Sequence, residues 1–340
     1  MDSFLFTINA VLPIILCIVI GYVVKRLKLF PDDFWPLLNK ICFRVLLPVL
    51  LFKNIYDIEN ISLMSEYWKV ILYITLAIIS FFLVGLLIVI FAIKDPKQKG
   101  VVLQCIVRSN YAIIGIGLIE LLARNYSPSD ATIAIGIGAI ISAISIPLFN
   151  IFAIIALSIF VHEEGKRPSV KEILIKICKN PLIIAVLLGI IVLLIRLAIP
   201  YNSETNTYAF KISDNLPFLY TTIKWIAASA SPVALIALGG GFSFSAVARL
   251  KYQISLATIM RIVVVPVSAL TIAYLLGFNK LYFPALIALF GTPVAVSSVP
   301  MTQEMGSDTE LAGQLVVWTS ILSSITLFLI ILTCSLVGIF

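Results

Sequence analysis

Two stretches of this 340-residue chain set polar and helix-breaking residues inside apolar surroundings. RSNYAIIGIG, residues 108–117, carries an arginine, a serine, an asparagine and two glycines. LFGTPVAVSSVP, residues 289–300, carries two prolines, a glycine, a threonine and two serines. Proline removes a backbone donor and clashes with the turn before it. Backbone groups freed in lipid are tolerated only inside protein or beside a water-filled cavity. The chemistry such a break supports is ion binding. A half-helix N-terminus offers unpaired N–H groups and a positive dipole end to a carboxylate, and freed carbonyls suit a cation. The candidate substrate contacts are Arg108, Asn110, Tyr111, Gly115 and Gly117 in the first stretch, with Thr292, Pro293 and Ser297 in the second. Thr292 is expected to accept from the first N–H groups after its break, with Pro293 opening the next half-helix. Asn110 stands at the equivalent place, with Gly115 and Gly117 supplying backbone freedom.

Charged side chains within apolar runs are the other candidates, because each costs about 2.5–3.5 kcal/mol at a bilayer centre on insertion scales. Arg108 has three readings: it attracts a substrate carboxylate, pairs with Glu120 across the break, or snorkels to the interface. Arg261 sits well inside a later run, with Glu304 as its candidate partner. Lys40 and Arg44 share one helix face and read as interface residues; Glu66 and Lys69 are spaced for a local ion pair. Gln314, read near the outer end of the last run, faces either a polar pathway or a neighbouring helix. The Gly239–Gly241 run is read as permitting close helix packing or a bend rather than binding.

The elements that must position these residues follow from composition. Hydrophobic residues make up 61% and charged residues 12% of the chain, and the mean hydropathy is +1.11. Soluble domains carry about 25% charged residues. The apolar runs are continuous rather than alternating, so the chain is an all-α integral membrane protein and no barrel. With roughly 20 residues per crossing, the runs near 4–24, 37–55, 68–92, 100–123, 132–160, 174–199, 216–243, 253–277, 281–303 and 309–338 predict about ten spans. The first lacks the flanks of a cleaved signal peptide. Lys25, Arg26, Lys28, Lys94, Lys97, Lys99, Lys166, Arg167, Lys171, Arg249 and Lys251 gather on one side. The positive-inside rule makes that side cytoplasmic, places linker 161–173 there and leaves both termini outside the cytoplasmic membrane. The formal charge of +7 is explained by these loops facing anionic lipid, with no call for nucleic acid.

The two halves, 1–160 and 174–340, repeat weakly. Pro13 and Gly21 match Pro181 and Gly189; LLPVLLF around Pro48 matches SPVALIAL around Pro232. Ser142 and Ser145 follow Asp130 at the same offsets as Ser320 and Ser323 follow Asp308. The breaks fall in the fourth and ninth spans. Five spans per half invert the second half, and inverted repeats with corresponding broken helices point to a secondary transporter. Pro13, Pro147 and Pro266 alone are read as kinks.

The segments NKICFRVLLPVLLF (39–52), RSNYAIIGIGL (108–118), KNPLIIAVLLGII (179–191), SPVALIALGGGFSF (231–244) and GTPVAVSSVPMTQEMGSDTELAGQLVVWTSILSSIT (291–326) touch nearly the whole length. In them the chain resembles the auxin efflux carrier family, which includes plant PIN proteins and bacterial permeases often called malate permeases. The resemblance implies a fold of the PIN and bile-acid-symporter kind: ten helices in two inverted five-helix repeats, with crossing unwound segments in helices 4 and 9. It implies a scaffold domain of helices 1, 2, 6 and 7, a transport domain of helices 3–5 and 8–10, elevator-like movement of organic anions, and a homodimer. Lys69 resembles a lysine that supports the substrate site in plant members. The family pattern in helix 4 is roughly Asn-x-Gly-x-x-Gly-x-Pro; here Ala112 and Gly117 replace its first glycine and its proline.

Other function classes find little support. No HExxH, GxSxG or in-span histidine suggests an intramembrane enzyme. His162 reads as a loop residue, and Cys17, Cys42, Cys105, Cys178 and Cys334 have no metal or redox spacing. No cofactor is expected. GGGFSFSA lacks the lysine of a phosphate loop, so a gradient or the substrate's own potential drives transport. Proton coupling through Glu120 or Glu304 and sodium coupling through Thr292, Ser297 and Ser298 both stay open. A small organic anion such as malate or an auxin-like carboxylate is the expected cargo. The competing reading is a non-transporting carboxylate receptor on the same fold.

Overall fold

The structure, a computed structural model, describes residues 2–58, 66–161, 169–199, 201–202, 207–208 and 210–339. His162, Lys166, Arg167 and most of linker 161–173 lie outside these residues.

Six helices are long and apolar enough to cross a membrane: Phe34–Tyr56, Trp68–Ala92, Pro128–Ile159, Pro217–Gly241, Ser245–Leu275 and Thr309–Leu336. Asp2–Arg26 precedes them, and Pro181–Arg196 is a shorter apolar pass. Two further passes are each made of two halves. The fourth is Pro96–Val107 followed by Tyr111–Ala123, and the ninth is Lys280–Gly291 followed by Ser298–Glu304. The described residues therefore contain ten passes, and the only strands among them are a two-residue ladder, Tyr201–Asn202 with Thr207–Tyr208. Large apolar side chains stand outward, Phe91 at 86% and Leu336 at 80% exposure. Water would penalise such a surface and hydrocarbon does not.

Packing follows small residues. The first pass lies on the seventh, where a Cβ on Gly21 would stand 2.0 Å from the Ile236 carbonyl oxygen and one on Gly239 2.0 Å from that of Ile18. Glycine is what lets these backbones touch. The second pass packs on the sixth and seventh; the third, fourth and fifth pack on one another; the first half of the ninth lies among the fourth, fifth and tenth.

Three passes contain a π-turn: Cys42–Leu46, Tyr111–Gly115 and Met260–Val264. Two of them end two residues before a proline, Pro48 and Pro266. The wider turn accommodates the carbonyl with which each ring would clash. Pro266 thus follows a π-turn that contains Arg261.

One predicted boundary is corrected. The run 174–199 is not one helix, because Asn180 is extended (φ −72°, ψ 125°), as a residue before proline prefers. Its side chain accepts from the Leu182 N–H. Val170–Lys179 is a separate helix closed by a Ser169–Glu172 capping box, and the sixth pass starts at Pro181.

Candidate functional site

The two broken passes meet at their breaks. Ser109 and Val294 form an antiparallel bridge, and the Asn110 N–H donates to the Pro293 carbonyl at 2.8 Å. The Val294 N–H donates to the Thr319 hydroxyl of the tenth pass at 3.3 Å. Each break therefore satisfies part of the other, which keeps two unwound segments stable in a low-dielectric interior. The halves also cross-link, since the Gln104 amide donates to the Thr302 hydroxyl at 2.6 Å. Ala112 and Gly117 do not prevent the crossing, because the chain unwinds at 108–110, ahead of both.

Arg108 closes the first half of the fourth pass. Twelve residues precede it in that half, about 18 Å of helix, so it lies near half the depth of a hydrocarbon core. It is 4% exposed. Its guanidinium donates to Asn150 Oδ1 and Ser297 Oγ, each at 2.8 Å, and approaches Met301 Sδ at 3.1 Å. All three partners are neutral. Neither snorkelling nor pairing with Glu120 describes it: Glu120 is exposed and makes no ion pair among the described residues.

Arg108 lines a cavity of about 50 Å³ between the crossing and the second, sixth and seventh passes. Polar walls come from Ser109, Asn110, Asn150, Ser231 and Ser297; apolar walls come from residues such as Leu47, Leu51, Ile113 and Phe149. Asn110 is 2% exposed, and its side-chain nitrogen has no partner. A buried amide donor without an acceptor is costly, and this one belongs to a residue lining the cavity that holds the guanidinium. Two donor groups, one fully charged, thus meet in a mostly apolar cavity.

The sequence-derived candidates divide. Arg108, Asn110 and Ser297 come together in the cavity; Tyr111, Gly115, Gly117, Thr292 and Pro293 do not line it. Tyr111 is buried and donates to the Gly138 carbonyl at 2.8 Å, anchoring the fourth pass to the fifth. Gly115 gives room to the Tyr111 ring, and Gly117 lies within regular helix. Thr292 does not accept from the N–H groups beyond the break; its hydroxyl donates back to Ala288 at 2.8 Å. Pro293 lies in the extended segment, and the second half-helix of the ninth pass starts only at Ser298. Asn150 was missed. Its signal was an amide within the apolar fifth run, three residues after Pro147.

The remaining charges are also redistributed. Arg261 pairs not with Glu304 but with backbone carbonyls at the crossing. Glu304 pairs instead with Arg44 of the second pass. The neighbouring Gln303 accepts from Asn39 at 2.9 Å and donates to the Pro36 carbonyl at 2.8 Å. Lys69 is exposed and stacks on Trp68, with its ammonium 6.0 Å from the ring centre; no ion pair with Glu66 forms among the described residues. Gln314 is buried and donates to the Ser243 carbonyl at 2.7 Å. It lies at the end of the bundle that carries the basic loops, near the Arg249–Glu310 pair, and not at the outer end. Orientation explains the correction: an even-numbered pass starts at the basic side, and Gln314 is in the first turns of the tenth.

Compared with known proteins, residues 6–331 match the sequence profile of a family described as "Membrane transport protein". The chain is also 23% identical, over 310 residues and 91% of each chain, to an uncharacterized transporter of Methanocaldococcus jannaschii.

Proposed function

The chain belongs to this membrane transport family, the auxin efflux carrier family, and from that premise we propose that it is a secondary carrier of small organic anions with Arg108 as its anion anchor. The observation that carries the reading is a buried guanidinium with only neutral partners, in one cavity with the unpartnered amide of Asn110. A buried cation without a counter-charge is costly, and an incoming carboxylate offsets that cost with charge-assisted bonds. Asn110 and Ser297 complete the polar end, and the apolar wall takes the rest of the substrate. The lining contains one cation and no second one, so a monocarboxylate with an apolar body fits better than a dicarboxylate. The second carboxylate of malate would be desolvated without a partner.

The cavity is too small for such a guest, so loading requires movement. Passes 1, 2, 6 and 7 serve as scaffold and passes 3–5 and 8–10 as the moving body. The cavity lies on their boundary, as an elevator-type carrier needs. With the basic loops in the cytoplasm, Arg44–Glu304, Asn39–Gln303 and Gln314–Ser243 are latches that close the cytoplasmic side between these bodies.

Thermal shift of the purified protein against acetate, benzoate, indole-3-acetate, succinate and malate tests the site, followed by flux in proteoliposomes. Asn110→Ala and Ser297→Ala are expected to remove the shift and the flux together. Unchanged binding in both variants would refute the site, and binding without flux would make the protein a receptor.

A further inference from the structure

Arg261 is 0% exposed and lies in the π-turn Met260–Val264 of the eighth pass. Its Nε donates to the Thr292 carbonyl at 3.0 Å. Nη1 donates to the carbonyls of Ile106 and Val107 at 3.2 and 3.3 Å. Nη2 donates to those of Leu289 and Phe290 at 3.1 and 2.9 Å. Four of these oxygens lie in the last turns of the two first half-helices, which end at Val107 and Gly291, and the fifth belongs to Thr292, the residue that opens the second break. Their helical donors are gone. The donor for Leu289 would be residue 293, a proline without an N–H; that for Ile106 would be Asn110, whose N–H goes to Pro293. Two half-helix C-termini, both negative dipole ends, therefore converge on one guanidinium.

In broken-helix transporters, unwound carbonyls and half-helix C-termini are the groups that coordinate a coupling cation. Here a side chain holds that position. The threonine hydroxyls of the ninth and tenth passes are also engaged, Thr292 donating to Ala288 and Thr319 donating to Leu315 at 2.6 Å while accepting from Val294, which leaves the Ser109 hydroxyl as the unpartnered one in the crossing bridge. Among the described residues no Asp or Glu is buried, so nothing at the crossing attracts a second cation or offers a buried carboxyl to carry a proton. An arginine stays charged and attached through every step.

Building on the carrier reading above, we infer that Arg261 is a tethered cation that takes the place of a coupling sodium ion between the two half-helices, so that the anion moves without an inorganic cation bound at the crossover. The guanidinium holds the crossing in all states, and Arg108 is left free to exchange anions.

The test compares the wild type, Arg261→Ala and Arg261→Lys in sodium chloride and in choline chloride at equal ionic strength, by thermal melting and by calorimetric sodium titration. The wild type is expected to show no sodium heat and equal melting in both salts, with anion affinity changing less than twofold. Arg261→Ala is expected to melt lower in choline and to be raised towards the wild type by sodium, which can enter the vacated carbonyl cluster. Arg261→Lys keeps a tethered charge and is expected to ignore sodium. Saturable sodium binding to the wild type, or a tenfold gain in its anion affinity with sodium, overturns the inference. So does an Arg261→Ala variant that melts like the wild type in choline or is not raised by sodium. If Arg261→Ala does not fold, the wild-type and Arg261→Lys measurements decide. Melting and sodium titration need no anion, so they report on Arg261 even if the anion reading fails.

Discussion

Replacing Arg108 by methionine should separate stability from function. The wild-type guanidinium makes two good hydrogen bonds to neutral oxygens and one contact to sulfur. Their loss removes about 1.5–3 kcal/mol for each good bond, because the donor is charged. Against this stands the desolvation of a buried cation with no carboxylate beside it, an effective penalty of several kcal/mol. The two effects are of similar size, so the unliganded variant should melt close to the wild-type temperature. Binding should fall. A guanidinium–carboxylate contact supplies charge-assisted bonds of about 1.5–3 kcal/mol each; a net loss of about 3–4 kcal/mol raises the dissociation constant roughly 10²–10³-fold. A ligand at about 100 times its dissociation constant stabilises the folded wild type by about 2.7 kcal/mol, and this shift should vanish in Arg108→Met. Arg108→Lys keeps the charge without the fork and should retain part of it. Melting with and without a carboxylate reads both effects. A variant that is destabilised when unliganded, yet keeps the ligand shift, would refute the assignment, because the arginine would then be structural.

Tyr111→Phe should lower stability by about 1 kcal/mol through loss of its bond to Gly138, with anion affinity unchanged, as measured by melting and titration. Gly21→Ala forces a Cβ to 2.0 Å from a backbone oxygen of the seventh pass and should cost about 1–3 kcal/mol or more. Gly241→Ala, with nothing within 4 Å of the added carbon, should be neutral or stabilising in the same melting assay. Glu304→Ala breaks a half-exposed pair worth about 0–1 kcal/mol, so folding should barely change. If the pair is a latch, maleimide labelling of a cysteine placed at Ser231 from the side of the basic loops should rise by up to about fivefold.

Much of the architecture was legible in the chain. The ten passes and the two breaks followed from run length and from glycine and proline placement, because a bilayer fixes how long a span must be and which residues interrupt it. Roles within the breaks were less legible. Tyr111, Gly115 and Gly117 follow the break directly in sequence, yet a π-turn carries Tyr111 away from the cavity towards Gly138. Asn150, 42 positions from Arg108, binds it. Spacing along one helix gives neighbours on that helix and says nothing of which foreign pass arrives beside it.

The charges mark the division most clearly. Sequence by itself marked Arg108 and Arg261 as charges inside apolar runs, Arg261 well inside and Arg108 still within snorkelling reach of the interface. It could not assign their uses, and it offered Glu120 and Glu304 as partners. Only the tertiary structure gave Arg261 to the carbonyls of both broken passes and left Arg108 facing a cavity. The physical reason is that a broken helix exposes acceptors as well as donors, and which cation meets them depends on how three separate passes cross.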